Sequence, residues 1–338
     1  MNQSLLEVEN LTTKFSTSKG DVTAINNISL KVDRGETVCI VGESGCGKSM
    51  TVLSILGLLP KNGKIAAGKV KFQGKELNTL SKEQMREIRG KEISMIFQEP
   101  MTALNPVFTI GFQLRESLMI HTKMTKKQAN ERAIGLLDKV GIPSSKKRLE
   151  QYPHELSGGM RQRVMIAMAL ASNPALLLAD EPTTALDVTI QAQILGLIQD
   201  LKDQYNMGLL LITHDMGVVA EIADRVIIMY AGKIVEEGTV EEIFTSQKHP
   251  YTEGLLKSVP DVDNPDFKLQ PIPGTLPNIS DEIPGCRFHP RCKYAMDICK
   301  KKDPISFTFS PDHYTNCWLY EKDNQSDVHK SISKLSAI

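Results

Sequence analysis

The chain has 338 residues, 41% hydrophobic and 24% charged, which fits two domains or one domain with a substantial appendage. Lys plus Arg and Asp plus Glu are 40 each, so no electrostatic footprint points to nucleic acid, and no apolar run approaches the ~20 residues that span a bilayer. Met1 to Asn10 carries acidic residues and no apolar core, so it does not read as a signal peptide, and any membrane role is expected to be peripheral.

In chain order, Leu5 to Val8, Thr23 to Ile25 and Ile28 to Val32 read as short strands of an antiparallel meander. Phe15 lies between them. In an ATP-binding domain such a ring stacks on adenine; elsewhere it is an ordinary core or edge aromatic. Thr37 to Val41 reads as a buried strand and Met50 to Leu59 as a helix. Between them stands G-E-S-G-C-G-K-S, Gly42 to Ser49, which fits the phosphate-loop pattern at every fixed position. Gly42, Gly45 and Gly47 let the backbone turn with its N–H groups inward, and with Glu43, Ser44 and Cys46 they form an anion cradle at a helix start. Lys48 is expected to reach the β- and γ-phosphates of ATP and Ser49 to hold Mg²⁺. The bland alternative is a chance glycine turn. Cys46, beside Lys48 and a helix N-terminus, is expected to favour the thiolate.

Gly68 to Gly74 reads as a strand and turn, and Ser81 to Arg89 as a helix with a Ser81/Gln84 capping box. Ile93 to Phe97 is a buried-strand candidate ending at Gln98, before a loop broken by Pro100 and Pro106. An amide there can face a metal or a water, or simply cap the strand. Residues 110 to 150 read as a charged helical insert, with Ala129 to Val140 apolar on one side and Gly141-Ile-Pro143 as its stop.

Leu156-Ser157-Gly158-Gly159-Met160 precedes a helix, Arg161 to Ala171, and makes either a second anion-binding helix end or a Ser cap with a glycine turn. Leu176 to Asp180 is an apolar strand ending in a carboxylate, followed by Glu181. Asp180 fits the Mg²⁺-binding acid of phosphate-loop NTPases, and Glu181 sits where a carboxylate orients or deprotonates the attacking water. Leu209 to Thr213 is another buried strand, ending at His214, a candidate γ-phosphate contact. Val226 to Tyr230 and Lys233 to Glu236 close the core as a hairpin over Ala231-Gly232. From Pro250 prolines recur at 260, 265, 271, 273, 277 and 284 and periodicity ends, so an irregular appendage is expected. The residues from Asp323 onward are polar and expected to be disordered.

The phosphate loop, Gln98, Leu-Ser-Gly-Gly 156–159, Leu-Leu-Leu-Ala-Asp-Glu 176–181, Ala-Leu-Asp 185–187 and His214 stand in the order found in ATP-binding-cassette proteins, and residues 5 to 255 resemble that family. Ile96-Phe-Gln-Glu-Pro-Met-Thr-Ala-Leu-Asn-Pro106, Pro182 to Val188, His249-Pro-Tyr-Thr252 and the terminal cysteines resemble the ATP-binding subunits of dipeptide and oligopeptide importers. Nickel and glutathione importers share much of the pattern; a cassette protein without a transport role is the more distant alternative.

The resemblance implies an α/β fold, a phosphate-loop ATPase with a RecA-like core, an antiparallel β subdomain and a helical subdomain at about 108–160, all within residues 1–255. It implies an irregular cysteine-containing extension over 256–322 and a tail over 323–338. Phe15 would stack on adenine, and Gln98 would join Ser49 and Asp180 at Mg²⁺ and couple them to membrane subunits. Ser157, Gly158 and Gly159 would contact ATP held by a partner subunit, and Asp187 would bridge the two subunits. The implied partners are a second, related ATP-binding subunit, two transmembrane permease subunits and an extracellular or periplasmic substrate-binding protein, with this chain peripheral on the cytoplasmic side of the cell membrane. Cys286, Cys292, Cys299 and Cys317, spaced x5, x6 and x17, resemble a four-cysteine [4Fe–4S] motif. Zinc and free structural thiols are the alternatives, and the two C-x-x-C pairs of a zinc knuckle are missing.

Overall fold

The computed structural model describes residues 4–99, 103–184, 186–258 and 271–321. Pro100, Ala185, Pro260, Pro265 and the tail from Asp323 lie outside the described residues.

The N-terminal meander is longer than its sequence pattern suggests. β1, Leu6–Thr17, and β2, Gly20–Val32, pair antiparallel with several register shifts. The shifts interrupt the period-2 alternation, which hides the strands' continuity from sequence reading. β3, Thr37–Val41, belongs to a second sheet; β4, Gly63–Phe72, and β5, Lys75–Glu76, complete the first in the order β2-β1-β4-β5.

β6 (Ile93–Ile96), β7 (Leu176–Asp180), β8 (Gly208–Thr213), β9 (Arg225–Tyr230), β10 (Lys233–Thr239), β11 (Ser306–Thr308) and β12 (Tyr314–Asn316) follow. They build, with β3, an eight-stranded sheet ordered β11-β12-β10-β9-β3-β8-β7-β6. β6, β7, β8, β3 and β9 run parallel, and the β10 side is antiparallel. Alternate residues of one strand serve two cores. Cys39 and Val41 of β3, Leu177 and Ala179 of β7, and Leu209 and Leu211 of β8 pack toward the helices of residues 110–170. Val38, Ile40, Leu176, Leu178, Leu210 and Ile212 pack toward the antiparallel sheet. Burial on both faces explains the near-continuous apolar runs.

The helical part comprises Ile110–His121, Lys126–Lys139, Ser145–Arg148 and Gly158–Ala169. Thr125 caps the second of these with a capping box, as Ser81 does for the helix Lys82–Ile88.

The region after Pro250 differs from expectation in two ways. Pro250 starts the helix Pro250–Lys257 instead of ending order, because His249 accepts the Tyr251 N–H as N-cap and a proline at N1 gives up an N–H that no helix needs. The extension is also not wholly irregular: β12 pairs with β10 through Glu236 and Glu237, and β11 adds to β12.

Candidate active site

The carboxyl ends of β3, β7 and β8 meet at one edge of the parallel sheet, where open α/β folds place their ligands. From β3 the chain enters the phosphate loop. A Cβ on Gly42 would lie 2.2 Å from the Met229 carbonyl oxygen, so no other residue fits there. Gly47 has φ 112 and caps the helix Lys48–Ile55. Lys48 is 4% exposed and donates to the carbonyls of Gly42 at 2.7 Å and Glu43 at 3.1 Å. Its ammonium lies 3.9 Å from Glu181.

Ser49 Oγ donates to Asp180 at 3.0 Å, across 131 residues of sequence. Burial pushes the Asp180 carboxyl above its ordinary value while the Ser49 hydroxyl pulls it down. A half-desolvated carboxylate beside a hydroxyl at a helix start suits a small hard cation such as Mg²⁺.

Glu181 sits at φ 45, a left-handed conformation that costs a non-glycine residue roughly 1–2 kcal/mol. Its side chain is held from several sides. Gln98 donates to it at 2.9 Å and Thr184 at 3.0 Å, and His214 Nδ1 lies 3.3 Å away. Residues from the ends of β6, β7 and β8 thus converge on one carboxylate, which can take a proton or align a water between Lys48 and His214.

The cavity in front of the phosphate loop is lined by Ser44, Gly45, Gly47, Lys48, Ser49, Met50, Gln98 and Glu181, by Thr23, Ala24, Ala231 and Gly232, and by Pro277, Asn278, Ile279, Asp281, Ile283 and Arg287 of the extension. Several expected site residues lie elsewhere. Phe15 is half-buried in β1, packed so closely on Gly63 that a Cβ there would sit 2.7 Å from Phe15 Cε1, and it does not line this cavity. Glu43 turns its carboxylate away from the phosphate cradle, to Arg291 at 2.8 and 3.1 Å.

Cys46 corrects the expected thiolate. Its side chain is buried beneath the loop, and burial pushes the thiol up to about 11 against the pull of Lys48. Desolvation outweighs the helix end because the sulfur points into the core, next to Gly42.

Ser157, Gly158 and Gly159 do not line the cavity either. Ser157 is exposed and caps the helix Gly158–Ala169 by accepting the Met160 N–H at 3.3 Å. Beyond its chain neighbours and its own helix, nothing lies within 4 Å of a Cβ built on Gly158, so that helix end faces open space. Asp187 is exposed and caps the helix Val188–Tyr205 through the Ile190 N–H at 3.0 Å.

In the extension, none of Cys286, Cys292, Cys299 and Cys317 forms a disulfide. Cys286 N–H donates to the Cys299 carbonyl at 2.9 Å. Burial raises the thiols of Cys286, to about 11, and Cys292, to about 12, and the neighbouring sulfurs add to the rise. Cys317 is raised by burial and by the other three cysteines. The four therefore share one neighbourhood, yet among the described residues no group of three or more His, Cys, Asp or Glu side chains is arranged to hold a metal ion.

Sequence reasoning missed Arg287, Arg291, Tyr251 and Thr184. The strings His249-Pro-Tyr-Thr252 and Pro182 to Val188 were the available signals: the first holds Tyr251, whose Oη accepts the Glu43 N–H at 2.9 Å, and the second holds Thr184.

A parallel sheet with a phosphate loop, an Asp-Glu strand end, a switch-like histidine and an outward-facing Leu-Ser-Gly-Gly helix start defines an ATP-binding cassette. Solved structures agree in fold: the dimeric MJ0796 cassette of a bacterial ABC transporter superposes with TM-score 0.63 and 30% identity, covering 70% of this chain and 98% of that one. The ABC transporter family profile matches residues 25–184, and the oligopeptide/dipeptide transporter C-terminal region matches residues 235–299. The oligopeptide transport ATP-binding protein AppD of Bacillus subtilis strain 168 is 52% identical over 94% of this chain and 98% of its own length. The dipeptide transport ATP-binding protein DppD of the same strain is 51% identical over 98% and 99%. The chain belongs to the ATP-binding proteins of the peptide-importer branch of ABC transporters, and it is an ATPase subunit. Among the described residues no helix is long and apolar enough to cross a membrane.

Proposed function

We propose that ATP hydrolysis by this chain powers import of dipeptides or oligopeptides through a permease of two transmembrane subunits, fed by a substrate-binding protein, with the chain peripheral on the cytoplasmic face. The observation that carries most weight is the separation of two half-sites. Lys48, Ser49 and Glu181 line one cavity, with Asp180 behind them on Ser49, while Ser157 and Gly158 face outward away from it. A second cassette can complete each site, and two different but related chains are the proposed pair. Opening and closing such a sandwich supplies the bistable element for transport.

An exposed apolar groove supports docking onto a membrane subunit. Leu58, Phe97, Leu104, Met165 and Met168 line it, and Phe97 keeps 39% of its surface exposed. The test is reconstitution with the permease, partner cassette and binding protein from the same transporter. Peptide-loaded binding protein should stimulate ATPase activity; stimulation by nickel or glutathione in place of peptide would reassign the cargo.

We further propose that Cys286, Cys292, Cys299 and Cys317 hold a [4Fe–4S] cluster, with zinc as the alternative. The support is four unbridged thiols in one neighbourhood. Such a group would supply a covalent staple for a segment with little regular structure. Iron and acid-labile sulfide assays on anaerobically purified chain decide it, and Cys317→Ser should lower both; zinc without sulfide would select the alternative.

A further inference from the structure

We propose that the extension is part of the nucleotide site: Ile279 and Arg287 contact the base and ribose of the bound nucleotide, so the extension sets nucleotide affinity. This rests on the ATPase assignment above and goes beyond it. The phosphate positions are claimed by Ser44, Gly45, Gly47, Lys48 and Ser49, which line the cavity at a helix start. The rest of the nucleotide must occupy the remaining space, bounded by Thr23 and Ala24 on one side and by Pro277 to Ile283 and Arg287 on the other.

That far wall is built and not merely draped. Asn278 and Asp281 brace the loop on itself, with Asn278 N–H to Asp281 Oδ2 at 2.8 Å and Asp281 N–H to Asn278 O at 2.9 Å. Arg291 donates to the Pro273 carbonyl at 2.8 Å while its other nitrogen holds Glu43, tying the wall to the phosphate loop. Leu276 Cδ2 lies 3.7 Å from a Cβ built on Gly45.

Two side chains on this wall have unspent binding capacity. Ile279 is 55% exposed at the cavity, an apolar face of the kind that packs on a base. Arg287 is half-buried and donates to the Ala231 carbonyl, and among the described residues no carboxylate lies within 4.0 Å of it. Burial disfavours its charge and Asp303 offsets this only in part, so stacking on a base or bonding to a ribose hydroxyl would add a compensating contact.

The experiment is calorimetric titration of the full purified chain with MgATP and, separately, with Mg-tripolyphosphate. Ile279→Ala and Arg287→Ala should each weaken MgATP by about tenfold while leaving tripolyphosphate within about twofold of wild type. Ile279 is surface-exposed, so its truncation tests contact without threatening the fold. Unchanged MgATP affinity in both variants, or parallel losses for both ligands, would overturn the proposal. Lys48→Ala should lose both ligands. A wild-type chain that binds neither would instead overturn the ATPase assignment, and the proposal with it.

Discussion

Arg291 of the extension grips Glu43 of the phosphate loop through one guanidinium nitrogen, at 2.8 and 3.1 Å, across 248 residues of sequence. The Arg291 side chain is 7% exposed, so this pair is screened little by solvent. Arg291→Ala should cost about 1.5–3 kcal/mol, the usual worth of hydrogen bonds to charged groups. Glu43→Gln keeps an acceptor and should cost less. The double variant should cost no more than Arg291→Ala, because the second change removes the carboxylate that the first leaves unpaired. Thermal denaturation of the four proteins checks this; additive losses would mean the two residues act separately.

Glu181 combines a left-handed backbone with contacts from Gln98, Thr184 and His214. Strain of that kind persists where the surroundings over-determine a position, and active sites are where it collects. Glu181→Gln preserves shape but removes the carboxylate proposed as the base. ATP binding should survive and turnover in the assembled transporter should fall about 10²-fold or more, the usual range for a general base. Near-normal hydrolysis would remove Glu181 from the role.

The elements legible in the sequence are those where local backbone chemistry dictates residue type. The phosphate loop, the Asp180-Glu181 strand end, the Ser81 and Ser157 caps and the parallel strands belong to this class. What stayed hidden depends on which surfaces meet. Tyr251 reaches the Glu43 N–H across 208 residues, and β12 finds β10 with only two paired positions. No periodicity encodes either contact. Cys46 misled for a related reason: a helix end and a lysine are visible in sequence, but the direction of the sulfur is not. Pro250 misled because one residue type both breaks helices and starts them, and only the His249 cap tells the two apart.

His249 is fully buried, stacks near Phe288 and accepts the Tyr251 N–H on Nδ1 at 3.0 Å, an arrangement that needs the neutral ring. Burial lowers its pKa from 6.5 to about 3. The unfolded chain therefore binds a proton below its pKa of about 6.5 that the native chain refuses until about pH 3. The stability this group contributes is present above pH 6.5 and is lost progressively as pH falls toward 3. The local slope approaches about 1.4 kcal/mol per pH unit. His249→Asn keeps an N-cap acceptor without the titration. Melting temperatures at pH 7 and pH 5 should differ less in the variant than in wild type; equal differences would place the acid sensitivity elsewhere.

The outward-facing helix start at Ser157 leads to a prediction about partnership. Each phosphate loop needs donors on the far side of the γ-phosphate, and those within this chain do not line its own cavity. Charge developing in the transition state is then stabilised from one side only in an isolated subunit. The isolated chain should bind MgATP yet hydrolyse it slowly, and adding the partner cassette and permease should raise the rate. Ser157→Arg puts a long cation where a small hydroxyl caps the helix, at an exposed position that the fold tolerates. It should leave MgATP binding by its own phosphate loop unchanged within about twofold, because Lys48 and Ser49 lie in a different part of the surface. It should lower hydrolysis in the complex by about 10²-fold, the worth of a lost transition-state donor. Calorimetry on the isolated variant, set beside phosphate release from the complex, separates the two. Wild-type hydrolysis by the variant complex would show that this helix end does not complete a site. An isolated wild-type chain as active as the complex would show that no partner is needed.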